Sequence, residues 1–362
     1  MKAKSKAANK AKNLGGAMMM TRAIRLSIWL AVGLAMAVPA ADAAEKVTWN
    51  WALYGPPRAF TVGPEHLAKA AKERSGGNFI INLRYNEQLS DAKDMLDGLK
   101  VGAFHGAVTA YSYAPAKTPL QGVLDMPFLP IGDLVLQEKV QDAFQQWKPA
   151  AEELARWNAV HFMVMLLPQY EFMGAGKPPR TIEDWKGMRV RALGGLGDAM
   201  KMLGAIPTSV SAPEVYTALE RGMFQAASFP FAYSFTSYKL HEVSRWYTLG
   251  MHLGIIHNSL NVNITAWNAL PAEYKKILEE ARPEAYRLQR AAYEDADRKS
   301  IPLFEKKKLE VITITPQMRE ELIAKAGKPV WDQWVADIDR QGLPGKQALD
   351  LVLKLIKQHS GS

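Results

Sequence analysis

From Lys46 onward the chain alternates short apolar runs with amphipathic stretches. "VTWNWALYG" (47–55) alternates apolar and polar positions, as a half-buried strand does, and stops at Gly55-Pro56-Pro57. "GPEHLAKAAKERSGG" (63–77) has helical spacing, with Pro64 near its start and paired glycines at its end. "NFIINLRY" (78–85) predicts a second strand, and "SDAKDMLDGLKVG" (90–102) a helix with Ser90 or Asp91 as N-cap. "GAVTAY" (106–111) and "HFMVMLL" (161–167) predict short buried strands. A second unit repeats the pattern: strand "MRVRAL" (188–193), helix "LGDAMKMLGA" (196–205), strand "PTSV" (207–210), helix "APEVYTALERG" (212–222) and strand "FQAASFPF" (224–231). Strands alternating with helices at this spacing predict an α/β protein with largely parallel sheets. From Pro271 to about Lys308 the chain is charged and helical, with Pro283 and Pro302 expected to kink or break it. The remaining tail reads as amphipathic helices.

The start of the chain has a different pattern. A basic stretch ending in "TRAIR" precedes the apolar run "LSIWLAVGLAMAVPA" and then Ala41-Asp42-Ala43. This is the layout of a secretory signal over residues 1–43, and the run is shorter than the roughly 20 residues a membrane span needs. Met18, Met19 and Met20 offer an alternative translation start. The segment carries seven of the 45 Lys/Arg and one of the 36 Asp/Glu, so the formal net charge falls from +9 to +3 without it. The basic character therefore belongs to the leader, and nucleic acid is not the expected partner. With no cysteine there is no disulfide, thiolate site or lipid anchor. The expectation is an exported, periplasmic protein that is not membrane-anchored in its mature form.

Motifs for cofactor or metal chemistry are missing. "GAGKPP" (174–179) lacks the Ser/Thr that follows the lysine of a phosphate loop, "GGLG" (194–197) is not a dinucleotide fingerprint, and the seven histidines form no HExxH. No cofactor, metal or catalytic residue is expected, and a binding protein is favoured over an enzyme. The positive signal is aromatic residues at strand ends, where ligands bind in open α/β sheets. Trp51 and Tyr54 end the first strand, Tyr111 and Tyr113 follow "GAVTA", Tyr170 follows "MVMLL", and Phe229, Phe231 and Tyr233 follow "FQAAS". Arg189 and Arg191 lie on the same face of an adjacent strand that runs into glycines, and two cations there call for an anion.

Three blocks carry a resemblance: "YNEQLSDAKDMLDGLKVGAFHGAV" (85–108), "DWKGMRVRALGGLGDAMKMLGAIPTSVSAPEVYTALERG" (184–222) and "YKLHEVSRWYTLGMHLGIIHNSLNVNITAWNALPAEYKKILEEA" (238–281). Together they resemble the solute receptors of tripartite ATP-independent periplasmic (TRAP) transporters of the DctP type. The resemblance implies a two-lobe periplasmic binding protein fold with a ligand cleft and a long lobe-spanning helix. Lobe I is expected over 44–167 plus 257–296 and lobe II over 168–256 plus 297–362, with hinges near 168 and 257. It further implies capture of a small organic acid by a monomer and delivery to the small and large subunits of a sodium-driven membrane permease. A sensory receptor, or a periplasmic enzyme acting on carboxylates, is the alternative.

The family's ligand-binding arginine falls on Arg191, whereas Arg189 takes the place of a lysine not used on ligand and is expected at the surface or on a structural acid. The chain departs from other branches at several positions. Phe229 replaces a ligand-binding Asn, and Ser228-Phe229 replaces a sodium-holding Glu-Trp pair. Tyr170 replaces a Gln, Glu171 stands where a second arginine is found, and Ala212 replaces a Phe. One cation in a roomy aromatic pocket predicts a monocarboxylate with an apolar or aromatic body, of an aromatic, hydroxy or oxo kind. Arg191 is the expected anchor, with Trp51, Tyr54, Tyr111, Tyr170, Phe229 and Tyr233 as walls. His257 or Asn258 can pair a further polar group.

Overall fold

A computed structural model describes residues 45–361, so the signal segment expected over 1–43 lies outside the described residues. The strands are β1 (Val47–Ala52), β2 (Phe79–Arg84), β3 (Gly106–Ala110), β4 (Ala159–Val164), β5 (Tyr170–Gly174), β6 (Arg189–Arg191), β7 (Ile206–Thr208), β8 (Ala226–Pro230), β9 (Trp246–Leu249), β10 (Asn258–Asn263) and β11 (Glu310–Thr313). They form a five-stranded sheet of order β2-β1-β3-β10-β4 and a six-stranded sheet of order β11-β9-β5-β8-β6-β7.

The sheets are mixed, which corrects the expectation of largely parallel ones. β1 runs parallel to β2 and β3, and β6 parallel to β7 and β8. β10, however, is antiparallel to β3 and β4, and β5 is antiparallel to β8 and β9. The cause is that the chain crosses directly between the sheets twice, from β4 into β5 and from β9 into β10, before a third change, by way of helices, from β10 to β11. The two crossing segments bond to each other: Met165 N donates to Asn258 O, Tyr170 N to Gly254 O and Leu253 N to Tyr170 O, at 2.9, 2.9 and 3.2 Å.

A 35-residue helix, Ala272–Lys306, follows β10 and the short helix Ile264–Ala269. It packs on the helix Val62–Arg74 beside the first sheet and on the helix Tyr233–Ser237 beside the second. The expected breaks do not occur, since Pro283 and Pro302 both lie inside it. Both prolines are exposed, as are Glu279 and Arg298, whose carbonyls lose their helical partners. Water can satisfy those carbonyls, while Tyr274, Leu278, Ala281, Ala285, Gln289 and Tyr293 keep an unbroken buried stripe on the other side. Polar groups on that stripe tie the helix to the first crossing segment. Tyr286 Oη accepts from Val164 N, Gln289 Oε1 accepts from Leu166 N, and Tyr293 Oη donates to Leu166 O.

The C-terminal helix Gly345–His359 packs on the helix Leu134–Gln145 and on the turn Pro119–Asp125. No helix among the described residues is long and apolar enough to cross a membrane.

Candidate functional site

Arg191 ends β6 and is 1% exposed, whereas Arg189 at the start of the same strand is exposed. Arg189 meets no acid among the described residues. Its Nε donates to Met223 O and its Nη2 to Gly222 O, both at 3.1 Å, closing the turn before β8. Arg191 is held by backbone alone: Nε donates to Val210 O at 3.0 Å and Nη1 to Ser228 O at 2.8 Å. Its guanidinium carbon stands 4.3 Å from the centre of the Phe229 ring. β8 places that ring, because Ala227 pairs with Arg191 and Phe229 follows two residues later on the same face. No ion pair to Arg191 is found among the described residues.

These side chains line a small cavity between the two sheets, together with Tyr54, Tyr113, Tyr170 and Tyr233, each of them buried except the partly exposed Tyr113. Leu167 from the first crossing segment, Ala212, Pro230, Ser234 and Tyr238 complete much of the wall. The space left is about 20 Å3, enough for one water molecule and too little for an organic acid. The site is therefore shut. Two contacts close it: Ala212 N donates to Tyr113 Oη at 2.9 Å, and Gly55 abuts Tyr238. Gly55 has φ +68°, and a Cβ there would lie 2.5 Å from Tyr238 Oη. Only glycine combines that conformation with that approach.

Burial pushes the phenols of Tyr54 and Tyr170 well above their ordinary range, and those of Tyr113, Tyr233 and Tyr238 upward. The nearby guanidiniums oppose that shift without reversing it, so the rings stay neutral at physiological pH.

A second cation stands in the same wall, which overturns the expectation of a single one. Arg58 follows Pro56-Pro57 at the carboxyl end of β1 and lines the cavity. Its guanidinium lies over Phe60 at 4.7 Å and over Tyr54 and Tyr238 at 5.4 Å each. Nη1 donates to Tyr54 O and Pro56 O at 3.0 and 2.8 Å, while Nε is sealed from solvent with no hydrogen-bond partner. Like Arg191, it has no ion pair among the described residues. Sequence reasoning applied the strand-end rule to the aromatic residues of this segment and passed over the arginine four residues beyond the last of them.

Two expected walls, Trp51 and Tyr111, and the expected polar partner Asn258 are not brought to the cavity. Trp51 is core: its indole covers Gly106, where a Cβ would lie 2.6 Å from it, because β1 pairs with β3 at that point. Tyr111 does not line the cavity, and instead stacks on His257 at 5.1 Å and exchanges hydrogen bonds with Asn261. Asn258 sits one layer behind the wall, its Oδ1 accepting from Tyr54 Oη at 2.7 Å and its Nδ2 donating to Ile256 O. It orients Tyr54. Glu171, next to the lining Tyr170, points to the other face of β5. There it accepts from Thr248 Oγ1, Gly250 N and His252 N, and burial pushes its carboxyl up to about 7.

Larger cavities lie outside this site. One of about 580 Å3 is lined by Tyr111, Asp125, Gly194, Asp198 and Trp334, and one of about 400 Å3 by Asp133, Arg290, Glu294 and Asp297. The first has acids and no cation, and in the second Arg290 is already paired with Glu138. The small cavity, by contrast, is lined by buried Arg191 and half-buried Arg58, neither with an acidic partner among the described residues.

Residues 60–337 match the bacterial extracellular solute-binding proteins, family 7 (DctP). The chain is 26% identical over 250 residues to the monocarboxylate 2-oxoacid-binding periplasmic protein of a Nostoc species, covering 66% of each chain. It is 26% identical over 271 residues to the C4-dicarboxylate-binding periplasmic protein DctP of Rhodobacter capsulatus, covering 74% of this chain and 80% of that one. A TRAP solute-binding protein of Rhodoferax ferrireducens, solved with copurified benzoate, superposes with a TM-score of 0.77 at 21% identity over 87% of this chain and 99% of that one. The last likeness establishes the fold, a two-sheet α/β periplasmic binding protein with a long helix touching both halves, and the matched span shows the lineage: the chain belongs to the DctP family of bacterial extracellular solute-binding proteins.

Proposed function

We propose that this protein is the solute receptor of a TRAP transporter and captures a small organic acid in the cavity between its sheets, with Arg191 anchoring the carboxylate. One observation carries the reading: a buried guanidinium faces a closed, aromatic-walled cavity with no acidic side chain to neutralise it. A buried cation without a counter-ion is costly, and an anionic ligand removes the cost. Nε and Nη1 are fixed by two carbonyls, so the remaining edge of the fork is pre-oriented to donate to a carboxylate. The names of the relatives support this reading, since each refers to an organic acid or was solved with one.

Binding without turnover fits the lining. It contains no carboxylate, histidine or lysine to serve as general acid or base, and its tyrosines are held neutral. The two crossing segments near 168 and 257 form the hinge, and closure presents a surface to a sodium-driven permease of small and large subunits. The lobes follow the division given above, with the C-terminal helix Gly345–His359 riding on the first. In this reading the protein works in the periplasm as a monomer after removal of residues 1–43, and Tyr54, Tyr170, Phe229 and Tyr233 wall the ligand.

The test is mass spectrometry of ligand retained by the purified protein, then calorimetry with that acid on two variants. Arg191→Ala should lose affinity by about 30-fold or more, the cost of truncating one partner of a buried charged pair. Arg189→Ala, whose side chain only closes a surface turn, should bind as the wild type does. Equal losses from both would overturn the assignment of the anchor.

A further inference from the structure

The first crossing segment has a cavity on each side. Neighbouring side chains of an extended chain point opposite ways. Here Tyr170 lines the small cavity with Arg191, while Gln169 lines the cavity of about 400 Å3 behind it. Leu167 borders both. Tyr293 completes the partition: it lines the larger cavity, meets Tyr233 of the small one edge-on at 4.8 Å, and donates from Oη to Leu166 O. Pro168 and Ile255 bring both crossing segments into the floor of the larger cavity. It therefore lies behind the hinge, and its size is within the roughly 300–1,000 Å3 of small-molecule sites.

One face of the helix Ala272–Lys306 forms a wall, since Arg290, Tyr293, Glu294 and Asp297 follow the i, i+3, i+4, i+7 spacing. The charge of Arg290 is matched by Glu138. Glu294 and Asp297 pair with no cation among the described residues, and neither does Asp133, which caps the facing helix Leu134–Gln145. Asp297 is half-buried and accepts from Ala232 N at 2.9 Å, and burial pushes its carboxyl upward. Gln169 adds a further acceptor. Its Nε2 donates to Ile131 O, while Oε1 is sealed with no hydrogen-bond partner. Acceptors thus outnumber free donors around this cavity, and a buried acceptor without a donor is costly. Leu134, Val135, Leu167 and Ile255 make the rest of the lining largely apolar.

We propose that the cavity behind the hinge is a second binding site, which takes a small organic ammonium ion with an apolar body. The ammonium donates to Glu294 and Asp297, whose charge it offsets, and the body lies on Leu134, Leu167 and Ile255. Its effect follows from its place. Turning the two halves about the crossing segments to open the small cavity brings the walls behind the hinge together. An occupant there opposes opening, so amine and acid favour the same shut form and each raises the affinity of the other. The site stands apart from the receptor reading, whereas the coupling rests on the hinge of that reading.

The probes are 2-phenylethylamine and 1,5-diaminopentane, each set against its neutral counterpart, 2-phenylethanol or 1,5-pentanediol, in calorimetry on the full folded protein. At least one amine should bind about 10-fold or more tighter than its alcohol, as charge-assisted hydrogen bonds require. Combining Glu294→Gln with Asp297→Asn, which keeps an acceptor for Ala232 N, should bring amine and alcohol to within about 3-fold. Thermal melts confirm that the double variant folds. In small-angle scattering the amine alone should contract the wild type, and in calorimetry amine and retained acid should bind together. Amines that bind no tighter than the alcohols, or a preference that survives the double substitution, would overturn the site. Competition between amine and acid would put the amine in the cavity of Arg191 and overturn the site as well. A radius contracted by the acid and unmoved by the amine would overturn the coupling alone. A radius unmoved by either would overturn the hinge and the coupling together.

Discussion

Arg189 and Arg191 show how far a single residue can be read from a chain. Alternation put both on one face of a strand and could not separate them, whereas the resemblance singled out Arg191. The structure gives the physical difference: Arg191 is buried on two carbonyls beside Phe229, and Arg189 closes an exposed turn. Arg58 was not legible, because it sits in an irregular segment after two prolines where no period assigns a face. Asp125 was equally hidden, an unmarked acid in sequence whose carboxyl is buried and pushed up to about 8 while Oδ1 accepts from His257 N at 2.5 Å. Between pH 4 and 8 the folded protein keeps this proton and the unfolded chain has lost it. Folding stability therefore falls as pH rises through that window, by at most about 1.4 kcal/mol per pH unit for this group, and levels off above it. Asp125→Asn keeps the acceptor and removes the titration. Its stability relative to wild type, measured by urea denaturation, should increase steadily from pH 5 to pH 8, and a flat difference would refute the assignment.

At the scale of elements, local patterns worked where a segment settles its own structure. β1, β2, β3 and the helices Val62–Arg74 and Gly194–Met202 all fall where periodicity and caps put them, within a few residues. β5 was missed because all of its positions are buried and the preceding apolar run reads as one continuous strand. The long helix was misread at its prolines, since a sequence does not reveal that both face solvent. What holds that helix to the crossing segment is a set of buried polar contacts. Gln289 Nε2 donates to Phe60 O at 2.8 Å, and its Oε1 accepts from Leu166 N at 3.4 Å. Gln289→Leu would fill the space and leave a buried carbonyl and a buried N–H unpaired. That should cost about 2–4 kcal/mol of stability in urea denaturation. Ligand affinity of the folded variant should stay within about 3-fold of wild type, because Gln289 does not touch the cavity.

For the whole molecule, the mixed sheets, the crossing ribbon and the cleft all depend on contacts between segments far apart in sequence. That is why strand content was legible and sheet direction was not. The cavity makes a dynamic demand as well. With about 20 Å3 inside, no organic acid can enter or be held unless the two halves separate and then re-close around it with the side chains shifted. The contact of Gly55 with Tyr238 belongs to that closed state and joins a loop after β1 to the segment between β8 and β9. Gly55→Ala would put a Cβ 2.5 Å from Tyr238 Oη at a backbone conformation disfavoured for alanine, so it penalises closure more than folding of either half. Small-angle scattering should show the wild type contracting when saturated with its acid, and the variant contracting less. Its affinity should fall by about 10-fold or more, since a penalty of about 1.4 kcal/mol on the binding-competent state is a factor of ten in apparent affinity. Full contraction at unchanged affinity would mean that the two halves close without this contact, and that the cavity is sealed by the Tyr113–Ala212 bond alone.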